Sequence, residues 1–143
     1  MSITQDQNQN PQRTLLYIED NPANLLLVEQ LIAERSNLKL LIAVNGYQGV
    51  QMACTHKPDI ILMDINLPDI NGLEVMKILH ENLETVQIPV IALSSNAFPK
   101  QIKEGLKAGF FRYLTKPYKI NELMNAIAVG LNDTEENCPT PLP

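Results

Sequence analysis

The sequence predicts an α/β fold: a doubly wound (βα)5 unit around a five-stranded parallel sheet of order 2-1-3-4-5. Three observations carry that expectation. Five short apolar runs alternate with five segments of helical periodicity, the pattern that right-handed β-α-β crossovers produce. Four of the runs end on chemically loaded residues: Glu19-Asp20 after Leu15-Leu16-Tyr17-Ile18, Asp64 after Ile60-Ile61-Leu62-Met63, Ser94 after Val90-Ile91-Ala92-Leu93, and Lys116-Pro117 after Tyr113-Leu114-Thr115. Parallel strands line up their C-terminal ends along one edge, and the order 2-1-3-4-5 puts strands 1 and 3 beside the switch point where open α/β folds hold ligands.

Each element has its own local reason. After the first strand, Asn21 can cap a helix and Pro22 can occupy its first turn, with Leu25, Val28, Leu31 and Ile32 at helical spacing. A second strand is expected at about 38–43 and a helix at about 47–55, which Lys57-Pro58 ends before the third strand. The third helix covers about 73–81 and puts Val75, Ile78 and Leu79 on one face. Pro89 opens the fourth strand. Pro99 starts a fourth helix that contains Ile102 and Leu106 and terminates in the region from Gly105 to Gly109. The fifth strand is expected at 111–115 and the last helix at about 120–131, carrying Leu123, Met124, Ile127 and Leu131. Residues 1–12 are polar and amide-rich and read as a flexible leader, residues 13–131 as the folded domain, and 132–143 as a disordered tail.

Composition narrows the function. A chain of 143 residues with 45% hydrophobic content suits one domain with one core. A net charge of -5 argues against a nucleic-acid footprint, which needs clustered Lys and Arg. Cys54 in an apolar helix and Cys138 in a polar tail make neither a disulfide nor a metal cluster. No apolar stretch reaches the roughly 20 residues of a spanning helix, and the N-terminus lacks an apolar signal region, so a cytoplasmic protein without membrane insertion is expected.

Singly, these residues have ordinary explanations. Asp64 is a strand-end turn former or a nucleophile, Glu19 and Asp20 are capping or solvated acids, Lys116 is a counter-ion, and Ser94 is a strand-end hydroxyl. Together they point elsewhere. Three carboxylates drawn into one place repel one another, and proteins tolerate this mainly when a cation neutralises them. An all-oxygen set with few protein ligands favours Mg²⁺. Lys116 opposite the metal then forms a clamp for a phosphoryl group, with Asp64 as a covalent acceptor and Ser94 as a hydrogen-bond donor. Pro117, through a cis bond, would hold Lys116 in place.

Several segments match a family in order: Tyr-Ile-Glu-Asp-Asn at 17–21, Met-Asp-Ile-Asn-Leu-Pro at 63–68, Asn-Gly-Leu-Glu at 71–74, Ile-Pro-Val-Ile-Ala-Leu-Ser at 88–94 and Tyr-Leu-Thr-Lys-Pro at 113–117. Over about residues 13–131 the chain resembles the receiver domain of two-component response regulators, a flavodoxin-like fold. The resemblance implies that Asp64 is the phosphoacceptor and that Mg²⁺ is held by Asp20 and Asp64, by Glu19 largely through water, and by the backbone carbonyl of Asn66. It further implies that Ser94 and Tyr113 are the switch pair, that Lys116 binds a phosphoryl oxygen, and that the backbone N–H of Ser95 faces the phosphoryl group. A histidine kinase or histidine phosphotransfer protein would be the donor, and the downstream protein would dock on helix 4, strand 5 and helix 5. Glu19, Ser94 and Ser95 stand where Asp, Thr and Ala are commoner, and Ser95 is expected to narrow access to Asp64. The wording around 91–97 and 110–117 also looks like receivers of hybrid histidine kinases, where a relay or sink role is the alternative.

Two other classes are weaker. A phosphatase with an aspartyl nucleophile would carry a second acid two residues later, but that place is Asn66. A flavin binder would need a phosphate loop rather than acids at the switch point. The expectation is a switch that at most catalyses its own phosphorylation and dephosphorylation.

Overall fold

The structure, a computed structural model, describes residues 12–35, 37–96 and 98–131. Its elements run β1 (Arg13–Ile18), α1 (Pro22–Ala33), β2 (Leu38–Ala43), α2 (Gly46–His56), β3 (Ile60–Asp64), α3 (Gly72–Glu81), β4 (Val90–Ser94), α4 (Pro99–Ala108), β5 (Arg112–Thr115) and α5 (Ile120–Gly130). The five strands pair in parallel in the order β2-β1-β3-β4-β5, as the alternation of runs predicts. The expected leader at 1–12, apart from the exposed Gln12, and the tail at 132–143 with Cys138 lie outside the described residues.

Strand alternation divides the core into two layers. Leu15, Tyr17, Ile60, Leu62, Ile91 and Leu93 face Val28 and Ile32 of α1 and Leu123 and Ile127 of α5. Leu16, Ile18, Ile61, Met63, Val90 and Ala92 face Ala53 of α2, Val75, Met76 and Leu79 of α3, and Phe110. Every residue of β3 and β4 is buried, because helices cover both faces. Each such Leu or Ile contributes about 1.5–3 kcal/mol relative to leaving it in water.

The helix starts follow from their caps. Asn21 Oδ1 accepts the N–H groups of Ala23 and Asn24 at 2.9 and 3.1 Å, with Pro22 in the first turn. Asn71 does the same for Glu74, so α3 begins at Gly72, one residue earlier than its periodicity indicates. α2 likewise begins at Gly46, because Asn45 accepts the Gln48 N–H and Asp69 accepts the N–H groups of Gly46 and Tyr47 at 2.7 and 2.9 Å.

The helix α4 ends within the expected region from Gly105 to Gly109, while the expected start of β5 is corrected. Gly105 lies inside the helix, where an added Cβ would stand 2.5 Å from the Tyr113 ring; it permits close packing and does not end the helix. Gly109, at φ 116°, supplies the left-handed residue that does. β5 starts at Arg112. Phe111 lies just outside it, partly buried, while Phe110 fills the core and meets Tyr113 edge to face at 6.3 Å. Cys54 is half-buried and accepts from the Asn82 amide. Among the described residues, no helix is long and apolar enough to cross a membrane.

Candidate active site at the strand ends

Register brings the acids together. Ile18 pairs with Met63, so Glu19 stands level with Asp64 at the exits of β1 and β3. Asp64 pairs with Leu93, one residue before Ser94, and Ser94 pairs with Thr115, one residue before Lys116. The Lys116 N–H donates to the Ser94 carbonyl at 2.7 Å, and this ties the β5 exit to β4.

Glu19 and Asp64 are both buried, at 1% and 4% exposure, and their carboxyls lie against each other. Lys116 Nζ sits 2.6 Å from Asp64 Oδ2 and 3.9 Å from Glu19 Oε1. Burial, the hydrogen bond to Asp64 and the charge of Asp64 push the Glu19 carboxyl above the ordinary carboxylate range, against the opposing pull of the Asn21 N–H and Lys116. The Asn66 N–H donates to Asp64 Oδ1 at 2.7 Å and fixes the turn after the strand. The Lys116-Pro117 bond is cis, as expected from the sequence.

Glu19 is the most heavily bonded acid in the cleft. Tyr17 Oη donates to its Oε1 at 3.1 Å, the Asn24 amide reaches the same oxygen at 3.4 Å, and the Asn21 N–H donates to Oε2 at 3.1 Å. Tyr17 is fully buried, and burial followed by the Glu19 charge raises its hydroxyl well above the usual phenol range. In the sequence Tyr17 reads as one more apolar strand residue. Its spacing of two from Glu19 is the signal that places both on one face of the chain.

The acid cluster is narrower than the three converging carboxylates expected. Asp20 is exposed at the rim, and among the described residues no three acids, histidines or cysteines form a ready-made coordination cluster. What is present still suits a hard divalent cation. Two buried carboxyls share one ammonium, a third acid stands at the mouth, and the donors are all oxygen.

Ser94 belongs to the other layer. It is 2% exposed, its Oγ accepts the Asn96 N–H at 3.0 Å, and it lines a cleft of about 120 Å³ together with Asn66, Asn96, Glu104 and Tyr113. Tyr113 is half-buried in the same layer. The Ser95 side chain is exposed beside the site.

A buried acid pair with its lysine, at the C-terminal edge of a 2-1-3-4-5 sheet, defines an acidic switch-point domain of the doubly wound class. Residues 15–128 match the response regulator receiver domain family. The polar-differentiation response regulator DivK of Brucella anthropi is 35% identical over 121 residues, covering 85% of this chain and 98% of that protein. Among solved structures, the receiver domain of a sensor histidine kinase from Pseudomonas aeruginosa, whose active-site cleft coordinates a magnesium ion, superposes with a TM-score of 0.77 at 29% identity, covering 85% of this chain and 98% of that one. A chemotaxis response regulator CheY4 of Vibrio cholerae shares the fold, with a TM-score of 0.77 at 21% identity over 84% of this chain and 99% of that one. The chain belongs to the response regulator receiver domain family, a CheY-like domain of two-component signalling.

Proposed function

We propose that this receiver takes a phosphoryl group on Asp64 from a histidine kinase or histidine phosphotransfer protein and uses it to change its surface. The observation that carries the reading is the buried pair Glu19 and Asp64 with Lys116 Nζ 2.6 Å from Asp64 Oδ2. In the transfer, an Asp64 carboxylate oxygen attacks phosphorus, a P–O bond forms, and the P–N bond to the donor imidazole breaks, leaving its electron pair on the nitrogen. Lys116 orients a phosphoryl oxygen and offsets its charge, held on course by Pro117. The Ser95 N–H offers a further donor.

Asp20, Asp64 and the Asn66 carbonyl would hold Mg²⁺, with Glu19 acting mainly through water. When bound, the ion neutralises the acids and the charge that develops on the phosphoryl oxygens. Ser94 and Tyr113, which line one cleft, form the switch pair, and the readout runs to α4, β5 and α5, where a downstream protein docks. Asn66 carries an amide and so cannot supply the proton transfer that a turnover phosphatase needs. The domain is therefore a phosphoacceptor that at most catalyses its own phosphorylation and dephosphorylation, in the cytoplasm, without nucleic acid or membrane insertion. The likeness to a histidine-kinase receiver supports a relay role as the second reading.

The test is labelling with phosphoramidate and Mg²⁺. Hydroxylamine-labile phosphate is expected on the unaltered chain and absent from Asp64→Asn. Undiminished carboxyl labelling in that variant would overturn the assignment.

A further inference from the structure

We infer that Tyr17 and Asn24 are positioning residues for divalent-cation binding, acting through Glu19; this rests on the reading of the cleft as a Mg²⁺ site. The Tyr17 ring is fully buried beneath the strand exits, and its hydroxyl reaches Glu19 Oε1 at 3.1 Å. An apolar layer lined by Leu15, Leu62, Val28 and Leu123 has no need of that hydroxyl for packing. A phenylalanine would fill the same space without a buried polar atom that requires a partner.

What the hydroxyl accomplishes is seen at Glu19. Both carboxyl oxygens are held from this side of the cleft: Oε1 by Tyr17 and by the Asn24 amide of α1 at 3.4 Å, Oε2 by the Asn21 N–H at 3.1 Å. The group is therefore oriented by strand and helix before any cation arrives, and little ordering remains to be done on binding. Groups that orient a metal's acids from behind typically change its affinity 10–100-fold when removed. Here the acid acts mainly through water, so a smaller change is expected.

Mg²⁺ alone is titrated by calorimetry into the full chain, Tyr17→Phe, Asn24→Ala, Glu19→Ala and the double variant Tyr17→Phe/Glu19→Ala, with urea unfolding of each in parallel. Tyr17→Phe is expected to weaken Mg²⁺ about 3–10-fold, and Asn24→Ala about 2–3-fold, with unfolding cooperativity retained. In the Glu19→Ala background the Tyr17→Phe effect should fall below about twofold, because its route is gone. A purely structural role for the ring would leave the loss equal in both backgrounds, and that result overturns the inference, as does unaltered affinity in Tyr17→Phe and Asn24→Ala. Absence of Mg²⁺ uptake by the unaltered chain is a separate outcome that overturns the underlying reading and the inference with it.

Discussion

Replacing Lys116 with Met removes a charge while keeping a long side chain, and so isolates what the ammonium does for the two buried acids. At an effective dielectric of about 20, unit charges at the observed 2.6 and 3.9 Å attract by roughly 6 and 4 kcal/mol. Most of this is offset by desolvation and by the 25% exposure of the Lys116 side chain. A net loss of about 1–3 kcal/mol at pH 8 is left, or roughly 4–12 °C in Tm for a domain of this size. The loss depends on pH. Glu19 has a folded-state pKa raised above its unfolded value, so its protonation stabilises the fold below the unfolded pKa, and that contribution disappears as pH rises through the folded one. Without Lys116 the upward push on the Glu19 carboxyl is less opposed, so the variant should lose less at pH 5 than at pH 8. Mg²⁺ should restore part of the pH 8 deficit, because it replaces the missing positive charge. Urea unfolding of both proteins at the two pH values, with and without Mg²⁺, measures all of this. An equal loss at pH 5 and pH 8, or none at pH 8, would refute the reasoning.

Three further outcomes are expected. Gly105→Ala places a Cβ 2.5 and 2.6 Å from Tyr113 Cδ2 and Cε2, so the ring must turn; overpacking of about 1–3 kcal/mol less about 1 kcal/mol of helix propensity leaves a loss of about 0–2 kcal/mol, and unchanged Tyr113 ring resonances would contradict it. Asp69→Ala removes the acceptor for the Gly46 and Tyr47 N–H groups and should lower stability by about 0.5–2 kcal/mol by urea unfolding. Partial desolvation of Asp69 is outweighed by those N–H groups, which lower its pKa, so the contribution is present above the unfolded pKa and fades as pH falls through the folded one; a pH-independent loss would count against this. Asp20→Asn should raise the Mg²⁺ needed for beryllofluoride binding on the order of tenfold, and metal-independent binding by the unaltered chain would sink the ligand assignment.

The fold was legible because β3 and β4 are buried at every position, and continuous runs such as Ile60-Ile61-Leu62-Met63 have few other places to go. Glu19, Asp64 and Lys116 were legible for a related reason: a charge at the end of such a run must emerge at the sheet edge. Asp69 escaped notice because its partners lie 22 and 23 residues earlier and meet it only through the fold. The separate roles of Gly105 and Gly109 were not legible, because local propensity cannot register the Tyr113 ring that crosses Gly105. The unequal burial of the neighbours Glu19 and Asp20 is also a product of tertiary packing. Tyr17 was hidden by its dual character, since a phenol counts as apolar until something accepts its proton.

Lys116 follows the edge strand β5, after Glu19, Asp20, Asp64 and Ser94 have all been made. A ribosome therefore delivers the two central acids first and their counter-charge last. A nascent chain ending at Ser94 holds Glu19 and Asp64 without the ammonium that faces both in the complete fold. Completion of the sheet and completion of the charge balance therefore coincide in the order of synthesis.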